Sequence, residues 1–215
     1  MEKYITVERT ARYFTLGELN EHTEQIWFVC HGYGQLAEYF IKKFQVLNNG
    51  KTYIVAPEGL SRFYLEGLSG RVGATWMTRE DRLNDIKDNI NYLNSLYAFI
   101  TKDTKPGIKI TLLGFSQGGP TLCYWIGNGK VKFDKLVLWA GIFPPDLNND
   151  FKFTAEYLLK DKPTYIVYGT NDPLLKPEHS KEIESYKTIK PDLQILTFEG
   201  KHEMNEEVLN RISEI

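Results

Sequence analysis

Cysteine is scarce in this 215-residue chain: it has two, Cys30 and Cys123, each inside an apolar stretch ("WFVC", "TLCYW"). No C-x-x-C is present, so a dithiol redox motif and a zinc knuckle are both excluded, and buried free thiols are expected. No apolar run approaches membrane-spanning length. The start, "MEKYITVERTARYF", has no apolar h-region, so it does not read as a secretory signal and a cytoplasmic location is expected. Charge of one sign is also lacking. Twenty-six basic and 28 acidic residues leave a net charge of -2, which gives no footprint for nucleic acid or an anionic membrane as a partner. Internal repeats and low-complexity segments are absent.

What is present is ordinary for a water-soluble globular chain: 42% hydrophobic and 25% charged residues, enough to bury a core in a single domain spanning 1–215. Strand-length apolar runs recur between longer amphipathic segments. Strands are predicted over 11–19, 25–32, 52–58, 108–116, 134–141, 163–172 and 193–202. Helices are predicted over 37–48, 79–100, 117–129, 176–189 and 205–215. Near-continuous runs such as "QIWFVCHG" are the pattern of strands covered on both faces. Leu83, Ile86, Ile90, Leu93 and Leu96 are spaced to share one face of the 79–100 helix. Alternation of strand and helix predicts an α/β domain with a mainly parallel sheet and helices on both sides. Residues 59–79 show no clean period and read as a long functional loop. Residues 143–160 read as a surface connection ending in a short helix.

In such sheets the chemistry gathers at the carboxyl ends of the strands. Three suited residues fall there in order: Ser116 after "KITLLGF", Asp172 after "PTYIVYGTN", and His202 after "LQILTFEGK". Gly114-Phe115-Ser116-Gln117-Gly118 is a G-x-S-x-G between a strand and a helix, the setting of a nucleophile on a sharp turn. A serine hydroxyl needs a neighbouring imidazole to take its proton, and His202 is the candidate base. Asp172 would hold the imidazole tautomer and stabilise the imidazolium. Two N–H donors should face the developing oxyanion: Gln117, the residue after the nucleophile, and Tyr33, in the loop His31-Gly32-Tyr33-Gly34. His31 reads as a structural support for that loop. Phe63, Tyr64, Trp76, Met77 and Phe143 are candidates for lining a substrate pocket.

The segments "HGYGQ", "GFSQGG", "GTNDP" and "GKHE", in this order and spacing, resemble the α/β-hydrolase fold. Within it they are similar to the phospholipase/carboxylesterase group that includes acyl-protein thioesterases. The resemblance covers the chain from about Ile26 onwards. It implies a serine hydrolase of carboxylic esters or thioesters without a cofactor, and the same Ser116, Asp172 and His202; a small-molecule ester substrate and no metal are expected, and the compact length leaves no room for a large cap domain. Gln35 departs from the acidic residue that commonly follows H-G-x-G in the thioesterases. A catalytically silent binding protein on the same fold, or a hydrolase of peptide or lactone bonds, are the alternative readings.

Overall fold

The computed structural model describes residues 1–127, 130–144, 161–189 and 191–215. Seven strands form one sheet: β1 (Tyr13–Leu16), β2 (Gln25–Cys30), β3 (Thr52–Pro57), β6 (Lys109–Phe115), β7 (Lys135–Trp139), β8 (Thr164–Gly169) and β9 (Gln194–Phe198). Their order is β1-β3-β2-β6-β7-β8-β9, and every pairing is parallel except that of β1 with β3. Two further strands, β4 (Ser61–Tyr64) and β5 (Val72–Thr75), make a separate antiparallel hairpin.

The strand period of two sorts the core into halves. Ile26, Phe28 and Cys30 of β2 join Leu112, Leu136, Leu138 and Ile166 on one face. There they pack against α2 (Arg82–Thr101), α3 (Gly118–Gly127) and α4 (Pro177–Ile189). Trp27 and Val29 point the other way, joining Leu113, Phe115, Val137, Trp139 and Val167. That face is covered by α1 (Ala37–Phe40), a 3-10 helix over Ile41–Leu47, and α5 (Glu206–Glu214). Burial on both faces is why β2 carries a near-continuous apolar sequence and β6 is apolar at most of its positions.

All four tryptophans lie in the core, and each buried indole N–H finds an acceptor, as burial of a polar group demands. Trp27 donates to Gln25 Oε1 and Trp125 to Asn94 Oδ1. Trp76 donates to the His31 carbonyl at 2.8 Å, and Trp139 to the Glu203 carbonyl at 2.9 Å. The last two bonds run from the core into loops at the strand ends.

Three expectations are corrected. The 59–79 segment is not a structureless loop but contains the β4–β5 hairpin. The 37–48 helix is one α-helical turn that tightens into 3-10 geometry. Helix α2 starts at Arg82, after Asp81 in left-handed geometry, and leaves Leu83 exposed, while Ile86, Ile90, Leu93 and Leu96 are buried as their spacing predicts. Most of the connection expected over 143–160 lies outside the described residues. Among the described residues no cap is inserted over the sheet, and no helix is long and apolar enough to cross a membrane.

Candidate active site

Ser116 stands between β6 and α3 with φ 51°, in the left-handed region that a residue with a Cβ rarely adopts. Its N–H donates to the Trp139 carbonyl, and its own carbonyl accepts from Gly119 N–H. The tight turn depends on flanking glycines. A Cβ on Gly114 would lie 2.4 Å from the Gly118 carbonyl oxygen, and one on Gly118 would lie 2.1 Å from the Cys30 carbonyl oxygen. Backbone packing, not chance composition, accounts for both glycines of the G-x-S-x-G.

Asp172 and His202 arrive on the turns after β8 and β9. The turns are zipped together by Thr170 N–H to Phe198 O and Asn171 N–H to Gly200 O, both 2.9 Å. Asp172 Oδ2 lies 2.7 Å from His202 Nδ1, while its Oδ1 accepts from Leu174 N–H at 2.8 Å. The carboxylate is almost fully buried, whereas the imidazole keeps 22% of its side chain exposed. With Nδ1 on the carboxylate, Nε2 is the ring nitrogen that Asp172 does not engage. The Phe115 ring packs 5.0 Å from the His202 ring, so the residue before the serine sets the imidazole's position. No hydrogen bond joins Ser116 Oγ to His202 among the described residues.

The loop after β2 is held by His31, which is fully buried. Its Nε2 accepts from Gly59 N–H at 3.0 Å, so the ring proton belongs on Nδ1, which lies 2.7 Å from the Gly32 carbonyl oxygen. A trans peptide directs its N–H opposite to its C=O. Anchoring Gly32 O therefore fixes the direction of Tyr33 N–H. Among the described residues, no protein group accepts from Tyr33 N–H or Gln117 N–H. Burial pushes the His31 pKa down, against a smaller upward pull from Gly32 O and Glu58.

The Gln117 side chain was not anticipated. Its Oε1 accepts from Thr75 Oγ1 (3.0 Å) and Trp76 N–H (3.1 Å), and its Nε2 donates to Met77 O (2.8 Å). One amide thus ties the residue after the serine to the end of the hairpin. Glu58 was also missed. Its buried carboxylate accepts from Arg12 at 2.6 and 3.1 Å, from Arg62 at 3.2 Å and from Ala37 N–H at 3.1 Å. Burial pulls its pKa up, but these donors outweigh that and leave it below the usual carboxylate value.

The expected pocket residues separate into two groups. Tyr33 and Phe63 pack ring to ring at 5.1 Å, and Tyr64 beside them is half exposed. Trp76, Met77 and Phe143 are instead core residues. Trp76 spends its indole on His31, Met77 packs with α2, and Phe143 meets Tyr186 edge-on at 4.9 Å. Cys30 and Cys123 are free and buried, with their pKa values raised by burial. Among the described residues no group of three or more His, Cys, Asp or Glu is placed to hold a metal ion.

Several solved structures share this architecture. Esterase PE8 matches with a TM-score of 0.70 at 18% identity, over 96% of this chain and 97% of that one. Acyl-protein thioesterase 2 of Zea mays matches at 0.68 and 17%, over 95% and 97%. A phospholipase/carboxylesterase of Dyadobacter fermentans matches at 0.67 and 16%, over 97% of each chain. At such identities the likeness establishes the α/β-hydrolase fold and nothing finer. No curated protein matches the chain in sequence. The sequence profile of one family, described as phospholipase/carboxylesterase, matches residues 15–215, so that the elbow serine, the paired Asp172–His202 and the loop after β2 all lie within the match. The chain belongs to the phospholipase/carboxylesterase family.

Proposed function

We propose that this protein is a serine hydrolase that cleaves carboxylic esters, and thioesters by the same steps, through an acyl-enzyme, with residues 1–215 acting as one catalytic unit. The observation that carries this reading is the 2.7 Å contact between Asp172 and His202 on turns interlocked beside a serine in left-handed geometry.

Ser116 Oγ attacks the ester carbonyl as His202 Nε2 takes its proton. Asp172 stabilises the imidazolium without itself becoming protonated. The oxyanion is met by Tyr33 N–H and Gln117 N–H. His202 then protonates the departing alcohol or thiol, and the acyl group stays on Ser116. Water, deprotonated by the same imidazole, attacks the acyl carbon, and collapse of the second tetrahedral species frees the carboxylic acid. The thioester part rests on the likeness to an acyl-protein thioesterase, and on the fact that thiolate departs more readily than alkoxide.

A fluorophosphonate probe tests the assignment directly. Intact protein should gain one adduct by mass, Ser116→Ala none, and turnover of a short p-nitrophenyl ester should fall by about 10⁴-fold or more in that variant. An adduct on Ser116→Ala would remove Ser116 from the role.

A further inference from the structure

A cavity of about 750 Å³ opens beside the loop that carries Tyr33, within the size range of small-molecule sites. It lies between α1 with its 3-10 extension and the turn of the β4–β5 hairpin. Gly34 and Gln35 line it from the Tyr33 loop, Phe40 and Leu65 supply apolar wall, and Lys43 and Arg71 are among its lining residues. Among the described residues no acidic side chain lines it. The chain as a whole carries net negative charge, so two cations without a facing carboxylate are a local reversal. Both are exposed, and neither has an ion-pair partner among the described residues, unlike Arg12 and Arg62, which share Glu58.

The cavity connects to the chemistry through Gln35. Its side-chain Oε1 accepts from Gly32 N–H at 2.9 Å, within the same loop, and its backbone bridges to Ala74 of the hairpin. The sheet order separates the cavity from the histidine turn. His202 follows β9 on one side of β6, whereas the cavity lies toward β2 and β3 on the other. The leaving oxygen must face His202, which protonates it, and the side of the cavity is the one assigned to the acyl arm.

We propose that this groove is an acyl-arm subsite selecting esters whose acyl chain ends in an anion, the chain lying on Phe40 and Leu65 and the anion meeting Lys43 and Arg71. Arginine pairs with carboxylate or phosphate in a two-pronged fork, and lysine adds a point charge, so either oxyanion fits. The proposal rests on the serine-hydrolase reading for which arm is acyl.

The test compares p-nitrophenyl half-esters of adipic, suberic and sebacic acid with the same compounds capped as ω-methyl esters, and with ω-phosphonate counterparts. At low ionic strength at least one anionic ester should exceed its capped partner by about tenfold in kcat/KM, expressed mainly in KM, and salt should erode the ratio. In Lys43→Gln/Arg71→Gln the ratio should fall toward one. Whichever of carboxylate and phosphonate is favoured names the anion. A capped ester as good as its anionic partner at every length overturns the subsite. Direct titration keeps the two readings apart: suberate should bind Ser116→Ala and be lost when Lys43→Gln and Arg71→Gln are added. If no ester is turned over but this binding pattern holds, the hydrolase reading fails and the anion groove stands. If esters are turned over without it, the groove fails alone.

Discussion

The N–H of Asn171 donates to the carbonyl of Gly200 at 2.9 Å, which makes the turn bearing Asp172 and the turn bearing His202 a single unit. The strand end beneath them permits no side chain. A Cβ on Gly169 would lie 2.4 Å from both the Gly200 and the Lys201 carbonyl oxygens. Gly169→Ala must therefore push the histidine turn away from the aspartate. It is expected to cost about 1–3 kcal/mol of stability by overpacking and to lower kcat on the order of 10²-fold through misalignment. Urea unfolding and steady-state kinetics on one preparation check both. Full activity in a stably folded variant would show that the two turns adjust independently.

Ser116 offers a separation of strain from chemistry. Alanine and glycine both delete the hydroxyl, but only glycine accepts φ 51° without penalty. Ser116→Gly should be more stable than Ser116→Ala by about 1 kcal/mol, with both equally inactive. Equal unfolding midpoints would mean that the turn relaxes once the side chain is shortened.

The sheet was legible because its strands are buried on both faces, and continuous apolar sequence such as "QIWFVC" admits few other readings. The glycine-flanked turn at Ser116 was legible because Gly114 and Gly118 are demanded by backbone contact. The hairpin was hidden because β5, "VGAT", owes its glycine to packing rather than turning: a Cβ on Gly73 would lie 2.4 Å from Gly34 O. That glycine also made Trp76 look like part of an open loop, although its indole is committed to His31 O. The Gln117 amide and Glu58 left no trace, since, Arg62 apart, their partners are backbone groups and residues distant in sequence that only the folded chain assembles.

Gln117→Met keeps the length of the side chain and its backbone N–H but deletes three hydrogen bonds, those to Thr75 Oγ1, Trp76 N–H and Met77 O. Thr75 Oγ1 keeps Met77 O as its acceptor at 2.9 Å, so Trp76 N–H is the one partner left unpaired, and the loss should cost about 1–3 kcal/mol. Because the proposed oxyanion donor sits on the loosened residue, kcat should fall with KM little changed. Gln117→Glu restores the acceptor side and should recover part of the stability. An unaltered kcat in the methionine variant would confine the amide to a structural role.

The tautomer of His31 predicts how stability follows pH. Its Nε2 already accepts the Gly59 N–H, so a second ring proton would oppose that donor inside a fully buried site. The folded pKa accordingly lies below the ordinary value of 6.5, whereas the unfolded chain titrates at that value. As pH falls below about 6.5 the unfolded state gains a proton that the folded state refuses, so stability drops with decreasing pH until the folded pKa is reached. Glu58, also depressed, adds a loss of the same sign, but only as pH falls below its ordinary 4.5. Asp85, whose pKa burial raises above the ordinary 3.8, contributes with the opposite sign as pH falls, because the folded state takes up that proton first, so the comparison with a His31 variant isolates the imidazole's share. Urea unfolding measured from pH 8 to pH 5 (roughly bracketing the imidazole range) should show that decline in the wild type and a flatter profile in His31→Gln. The same variant frees the Gly32 carbonyl and with it the orientation of Tyr33 N–H, so its kcat should fall on the order of 10²-fold even at pH 8, where the wild-type ring is neutral. A variant with the wild-type pH slope would assign the acid sensitivity to another group, and one with full kcat would detach the histidine from the oxyanion peptide.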